Sequence, residues 1–341
     1  MGFHRRLAPS SGFDRGSTVA AGLLTAAATV LGAVPAGSAA AAPHGEARAE
    51  VDRLHQEAET ATEAYNKATE RAGLLRDRVR DLQDRIARQQ QRVNDLRQTL
   101  GAVAGAQYRS GIDPSLALLF SRDPADYLDR ATALDRISTH QAGELKDLRQ
   151  ALREISQERA EAARALAELD RNREAAATHK RTVERKLARA RRLLNSLSPS
   201  EREAYDRTSR SRRDGLLPVL DDGPAASARA AAAVAAVRSA LGRPYVWGAN
   251  GPSGFDCSGL MQWAYAQAGV HLPRTSQEQR NAGRHVPLSQ ARPGDLVVYR
   301  SDAGHVAMYV GGGRVIHAPH PGAPVRYDPV NMMPVSSVTR V

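Results

Sequence analysis

The sequence predicts two folds in one chain: a long all-α antiparallel coiled-coil hairpin, then an α+β domain at the C-terminal end. Three observations predict it. Apolar residues recur at heptad spacing over two long stretches of nearly equal length. That pattern ends at a Pro-, Gly- and Ser-containing linker. Beyond the linker an alanine-rich helix, a helix that opens on the chain's one cysteine, and three short strand patterns follow in order.

Residues 1–41 read as a secretory signal peptide. Arg5, Arg6 and Arg15 precede an apolar run from Val19 to Val34, and small residues follow, with cleavage expected after Ala40 or Ala41. The mature protein is therefore expected outside the membrane, in the cell wall or at its extracellular face.

The hairpin is expected over residues 46–200. Positions 51, 58, 65, 72, 79, 86, 93 and 100 and positions 54, 61, 68, 75, 82, 89, 96 and 103 form a seam that only Gln89 interrupts with a polar side chain. A looser seam runs from Leu134 to Leu197 through Ile137, Leu145, Leu152, Ile155, Leu166, Leu169, Val183 and Leu187. Equal lengths joined by a connection suggest an antiparallel pair, with a parallel homodimer as the alternative. The connection, residues 101–139, contains Gly101, Gly105 and Gly111, then two Asp-Pro pairs that look like the starts of short helices. Leu116, Leu118, Leu119 and Phe120 make this tip apolar, so it either folds back on the coil or meets a partner. The linker, residues 201–224, carries the apolar run Leu216 to Leu220, a candidate to dock over the active site.

The net charge of +11 fits either a solvated helix surface or attraction to an anionic polymer. No helix-turn-helix, zinc-finger or RNP-type pattern points to nucleic acid. A single cysteine excludes an intramolecular disulfide, and with no CxxC pair neither a metal site nor another cofactor is expected.

The chemistry concentrates in residues 225–341. Cys257 falls where a Gly/Pro/Ser-rich loop gives way to a helix, so first-turn N–H groups and the helix dipole are expected to favour its thiolate. The strand candidates are Asp295–Tyr299, His305–Val310 and Arg314–Ala318. With a three-residue loop at Gly311–Gly313, His317 falls opposite Ala307 and shares a face with His305. Cys257 would then be the nucleophile, His305 its base and later the acid, and His317 the group that orients His305. His271, His285 and His320 have no such placement. Asp256 is equally well placed to cap the helix.

Six segments carry a resemblance to a family: Pro244-Tyr245-Val246-Trp247-Gly248, Asp256-Cys257-Ser258-Gly259-Leu260, Leu272-Pro273-Arg274-Thr275-Ser276, Pro293-Gly294-Asp295-Leu296, Gly304-His305-Val306 and Val315-Ile316-His317-Ala318. Together they resemble the NlpC/p60-type cell-wall endopeptidases. That resemblance implies a papain-like fold and hydrolysis of peptidoglycan stem peptides, typically between D-glutamate and diaminopimelate. It also implies a Cys257–His305–His317 triad, Tyr245 beside the oxyanion, and Asp256 and Ser258 near the stem peptide's free amine. The hairpin is similar to those of division-associated hydrolases, which implies an FtsEX-type transporter as a partner of the tip, around Ser121 to Leu128. The competing readings are a catalytically silent wall-binding adaptor and an amidase using the same thiol chemistry.

Overall fold

A computed structural model of the chain describes residues 42–111, 124–203, 205 and 224–341. The signal peptide, the apolar tip at Leu116 to Phe120 and the linker run at Leu216 to Leu220 lie outside these residues. No helix among the described residues is long and apolar enough to cross a membrane.

Two helices form the hairpin, α1 (Ala42–Ser110) and α2 (Pro124–Ser196). After Pro43 and Pro124, which a first turn tolerates, neither helix contains a proline to break it. Their pairing is antiparallel and within one chain. Arg71 meets Glu168 at 2.7 Å, and one heptad forward along α1 meets one heptad back along α2, where Arg78 pairs with Glu161 at 2.7 Å. Exposed pairs of this kind stabilise little. The buried seam does more, with Leu75, Val79 and Leu82 packed against Ala162, Ala165 and Leu169, and Val93 against Ala151 and Ile155.

Two expectations for the hairpin need correction. α1 continues through Gly101 and Gly105, and Pro124 opens the whole of α2 rather than a separate short helix. The connection between the two helices is therefore residues 111–123. Within α2, Ile137, Leu145, Leu152 and Leu166 are exposed, while Ala151, Ala162 and Ala165 face the partner helix. The small side chains of α1, such as Ala68 and Ala72, let the helices approach on an alanine stripe that sets the larger leucines outside it.

The C-terminal domain is α+β and papain-like in layout, with a cysteine-bearing helix laid against an antiparallel sheet. Its helices are α3 (Ala228–Ser239), α4 (Cys257–Gln267) and the single turn α5 (Ser276–Gln279). Its strands are β1 (Arg284–Val286), β2 (Leu296–Tyr299), β3 (His305–Gly311), β4 (Arg314–His317), β5 (Arg326–Pro329) and β6 (Val335–Arg340). The sheet order is β1-β6-β2-β3-β4-β5. α4 buries Leu260, Met261, Ala264 and Tyr265 against Val306 and Met308 of β3 in one core. β1, β5 and β6 lack a clear apolar alternation, which is why the sequence pattern yields only β2, β3 and β4.

Gly259 explains one fixed point of this packing. A Cβ there would lie 2.2 Å from the Ala249 carbonyl oxygen. Gly73, midway along α1, has nothing within 4 Å of such a Cβ. Gly259→Ala is therefore expected to destabilise the chain by about 1–3 kcal/mol through overpacking. Gly73→Ala should stabilise it by about 0.5–1 kcal/mol through backbone entropy. Denaturant unfolding of both variants checks the pair, and equal effects would contradict the packing.

Candidate active site

Cys257 is the first residue of α4 and is buried. Asp256 caps the helix, accepting the Gly259 N–H at 2.7 Å. Its other oxygen accepts the Gly248 N–H at 3.0 Å, and Arg274 binds both oxygens at 2.9 and 2.6 Å. Asp256 is thus a cap and half of a buried ion pair, and it fixes the loop that precedes the nucleophile. The Ser258 hydroxyl accepts from Arg274 at 2.9 Å. Tyr245 is buried in the same core as Cys257, and burial together with the acidic groups around it holds its phenol well above the ordinary value, as a neutral donor.

The histidines meet as their strand register requires, by a route the sequence does not show. Gly311 pairs with Arg314, leaving a two-residue Gly312–Gly313 turn with φ of 58° and 70°. Positive φ at both turn positions suits glycine. Such a turn alone would shift the register by one, but an irregularity between Tyr309 and Gly311 absorbs the shift. Met308 therefore faces Ile316, and His305 and His317 share a face.

The proton arrangement follows from the next partners. His305 Nε2 lies 2.7 Å from His317 Nδ1, and His317 Nε2 lies 2.8 Å from Asp328 Oδ2. Asp328 is held below the ordinary carboxylate range because His317 and Arg326 outweigh its burial. Burial lowers His317 to about 4, so its ring is neutral. Asp328 then fixes the hydrogen of His317 on Nε2, its Nδ1 accepts from His305 Nε2, and Nδ1 is the His305 nitrogen that this relay leaves open to another partner. Asp328 and Arg274 were not singled out from the sequence as site residues. Asp328 carried a legible signal: it lies two residues from Arg326 on a strand after the second histidine, and alternate positions share a face.

The larger surprise comes from α1. Its Glu59, Thr62, Glu63 and Asn66 are buried although they lie off the coiled-coil seam. That face of α1 lies on the site. Glu59 bonds His305 Nδ1 through one oxygen and Arg300 through the other. Glu63 accepts from Ser258 Oγ at 2.8 Å, from the Ser276 N–H at 2.9 Å and from Cys257 Sγ at 3.6 Å. Asn66 donates to Asp256 at 3.0 Å, Tyr65 sets its edge on Trp247 at 5.2 Å, and His55 stacks on His320 at 4.7 Å.

These contacts decide the charge state. Burial raises the Cys257 thiol, and Glu63, Glu59 and Asp256 raise it further, so the expected thiolate is absent. The helix-start effect is outweighed. Burial also lifts Glu63, which Asp256 reinforces, to about 8. Glu59 is the reverse case: burial would raise it, but His305 and Arg300 bring it down to about 2. Glu59, Cys257 and His305 place donor atoms within 4.8 Å of one another, a geometry open to a metal ion. Here those donors are satisfied by one another, by Arg300 and by Glu63.

Residues 242–340 match the NlpC/P60 family model. The NlpC/p60 domain of peptidoglycan hydrolase SagA is 40% identical, covering 33% of this chain and 98% of that one, with a TM-score of 0.31. Residues 242–340 form an NlpC/P60 domain. The P60 domain of antigen MAP1204 from M. avium subspecies paratuberculosis is 38% identical, covering 33% of this chain and 93% of that one, with a TM-score of 0.31. A probable endopeptidase of Corynebacterium glutamicum (strain R) is 46% identical over 126 residues. The match covers 35% of this chain and 60% of that protein. The NlpC/P60 match spans the C-terminal domain and leaves out the helix that covers its site.

Two predictions follow from the charge states. Docked α1 needs Glu63 protonated and Glu59 ionised. The Glu63 contribution is complete below the ordinary value of 4.5 and is lost as pH rises through about 8. The Glu59 contribution is complete above 4.5 and is lost as pH falls through about 2. Undocking followed by Trp247 fluorescence should therefore rise toward pH 9 in the wild type and stay flat there in Glu63→Gln. A Glu63→Gln curve that rises like the wild type contradicts this assignment. Secondly, in a chain whose α1 cannot dock (Glu59→Ala with Glu63→Ala), adding Asp328→Asn should lower kcat about a hundredfold or more by releasing the His317 tautomer. An unchanged pH–rate profile and kcat would remove Asp328 from the relay.

Proposed function

We propose that the chain is a secreted peptidoglycan endopeptidase that cuts stem peptides between D-glutamate and diaminopimelate and that its own α1 holds closed. The supporting observation is the line Cys257–His305–His317–Asp328, with Glu59 and Glu63 inserted at its reactive end.

With α1 withdrawn, His305 Nδ1 takes the Cys257 proton and the thiolate attacks the scissile carbonyl carbon. The developing oxyanion is met by the first turn of α4 and the neutral Tyr245 hydroxyl. His305, now an imidazolium oriented by His317, gives its proton to the departing amine, leaving a thioester on Cys257. Water, deprotonated by the same imidazole, then releases the acid and restores the thiol.

Secretion rests on the layout of residues 1–41, and an FtsEX-type transporter engaging the tip is the proposed source of the opening force. Ser110, next to the tip, lies roughly 65 Å along α1 from Asn66 at 1.5 Å per residue, so the hairpin would act as a lever.

The test compares full-length wild type, Glu59→Ala/Glu63→Ala, and that variant with Cys257→Ala on purified peptidoglycan, with fragments identified by mass spectrometry. Cleavage after D-glutamate, about tenfold or more faster in the double variant and absent without Cys257, is expected. Equal rates for wild type and double variant would rule out closure by α1. Release at the sugar–peptide junction would make it an amidase, and binding without cleavage would leave the adaptor.

A further inference from the structure

Arg300 stands between the latch and the unfilled part of the cleft. It follows β2, five positions before His305, and its backbone has a φ of 67°. A non-glycine residue enters that left-handed region at a cost, so its surroundings must hold it there. The Arg300 N–H donates to the Pro334 carbonyl at 2.8 Å, and the side chain is only 14% exposed. Its guanidinium binds Glu59, and its buried Nε has no hydrogen-bond partner, with Asp302 standing 3.8 Å away. Beside it a cavity of about 380 Å³ continues between α1 and the catalytic domain, lined by Arg300, His317 and Arg326 on one side. Arg326 is already paired with Asp328.

We infer that Arg300 is the receptor for a carboxylate of the substrate, and that Glu59 occupies its place in the closed chain. One Glu59 carboxylate spans His305 Nδ1 and Arg300, so an anion bound there lies beside the nitrogen that exchanges protons at the scissile bond. Withdrawal of α1 removes the main partner of Arg300 and leaves its guanidinium, with Asp302 3.8 Å from Nε, at the edge of an open cleft. A residue serving only the latch needs no cleft continuing behind it. The stem peptide of the proposed reaction offers two carboxylates near the cut: the α-carboxylate of D-glutamate and the free carboxylate of the diaminopimelate side chain. The guanidinium fork suits either one. This inference rests on the endopeptidase reading.

The experiment uses the full-length Glu59→Ala/Glu63→Ala chain, in which Arg300 has no latch to hold. Arg300→Gln and Arg300→Lys are added, and steady-state kinetics are measured on three synthetic stem peptides. One carries both carboxylates, one has the D-glutamate carboxylate amidated, and one has the diaminopimelate side-chain carboxylate amidated. Arg300→Gln is expected to raise KM about tenfold or more on the first peptide with little change in kcat. Arg300→Lys should recover part of that loss, which separates charge from folding. Amidating the recognised carboxylate should reproduce the loss in the parent and add nothing further in Arg300→Gln, which identifies the source. An unchanged KM in Arg300→Gln would overturn the assignment and leave Arg300 a latch residue. Equal losses from Arg300→Gln on all three peptides would overturn it as well. Failure of the unlatched parent to cut any of them would instead remove the endopeptidase reading, and this inference with it.

Discussion

The carboxylate of Glu59, held between His305 and Arg300, is the contact on which the state of the site depends. Taking an ionised carboxylate out of water costs several kcal/mol, and only close opposite charge offsets that. His305 and Arg300 both meet it here. Glu63 resolves the same difficulty differently: beside the ionised Asp256 it keeps its proton and remains a neutral hydrogen-bonding group. The two glutamates lie one helical turn apart yet carry opposite charge states, because one faces histidine and arginine and the other faces aspartate.

This arrangement makes α1 a single helix with two separate faces. Its heptad seam packs mainly on α2, while Glu59, Thr62, Glu63 and Asn66 lie at positions that an isolated coil would leave in water, and Glu59, Glu63 and Asn66 bond groups of the catalytic domain instead. Trp247 of the domain packs against Ala58, Ala61, Val183 and Leu187, and the polar contacts of Glu59, Glu63 and Asn66 also hold α1 down. Contacts of this kind are sensitive to pH, to a competing carboxylate and to tension in ways that a large apolar interface is not.

Much of the architecture was legible in the sequence because it depends on local periodicity. The Val51-to-Val103 heptads mark α1, and Asp256 followed by Cys257 and Gly259 marks the capped start of α4. The pairing of His305 with His317 depended on strand parity, which the pattern carried, although the Gly312–Gly313 turn and its compensating irregularity did not show. What the pattern does not carry is non-local. Arg274, Asp328 and Arg300 become site residues only through partners distant in sequence. Glu59 and Glu63 lie among dozens of charged residues on a coil, where a solvated face is the ordinary expectation. The occluding element anticipated from the linker at Leu216 to Leu220 falls outside the described residues, and α1 occupies the site.

The thiol of Cys257 shows why local and non-local readings disagree. A helix N-terminus stabilises an anion by about 0.3–1 kcal/mol, rising to about 2 in favourable buried geometries. Burial beneath α1 together with the charges of Glu59 and Asp256 opposes it, and the thiol ends well above its ordinary value. The proposed withdrawal of α1 would reverse most of that opposition: the two glutamates would leave and water return, while Asp256 keeps its pairing with Arg274, 2.6 Å in the docked state. The helix start and His305 then remain as the nearest influences on the sulfur. The protonated thiol describes the site with α1 docked, and the thiolate expected from sequence belongs to the proposed state with α1 withdrawn. The difference between them is carried by two side chains of a helix that lies nearly 200 residues earlier in the chain.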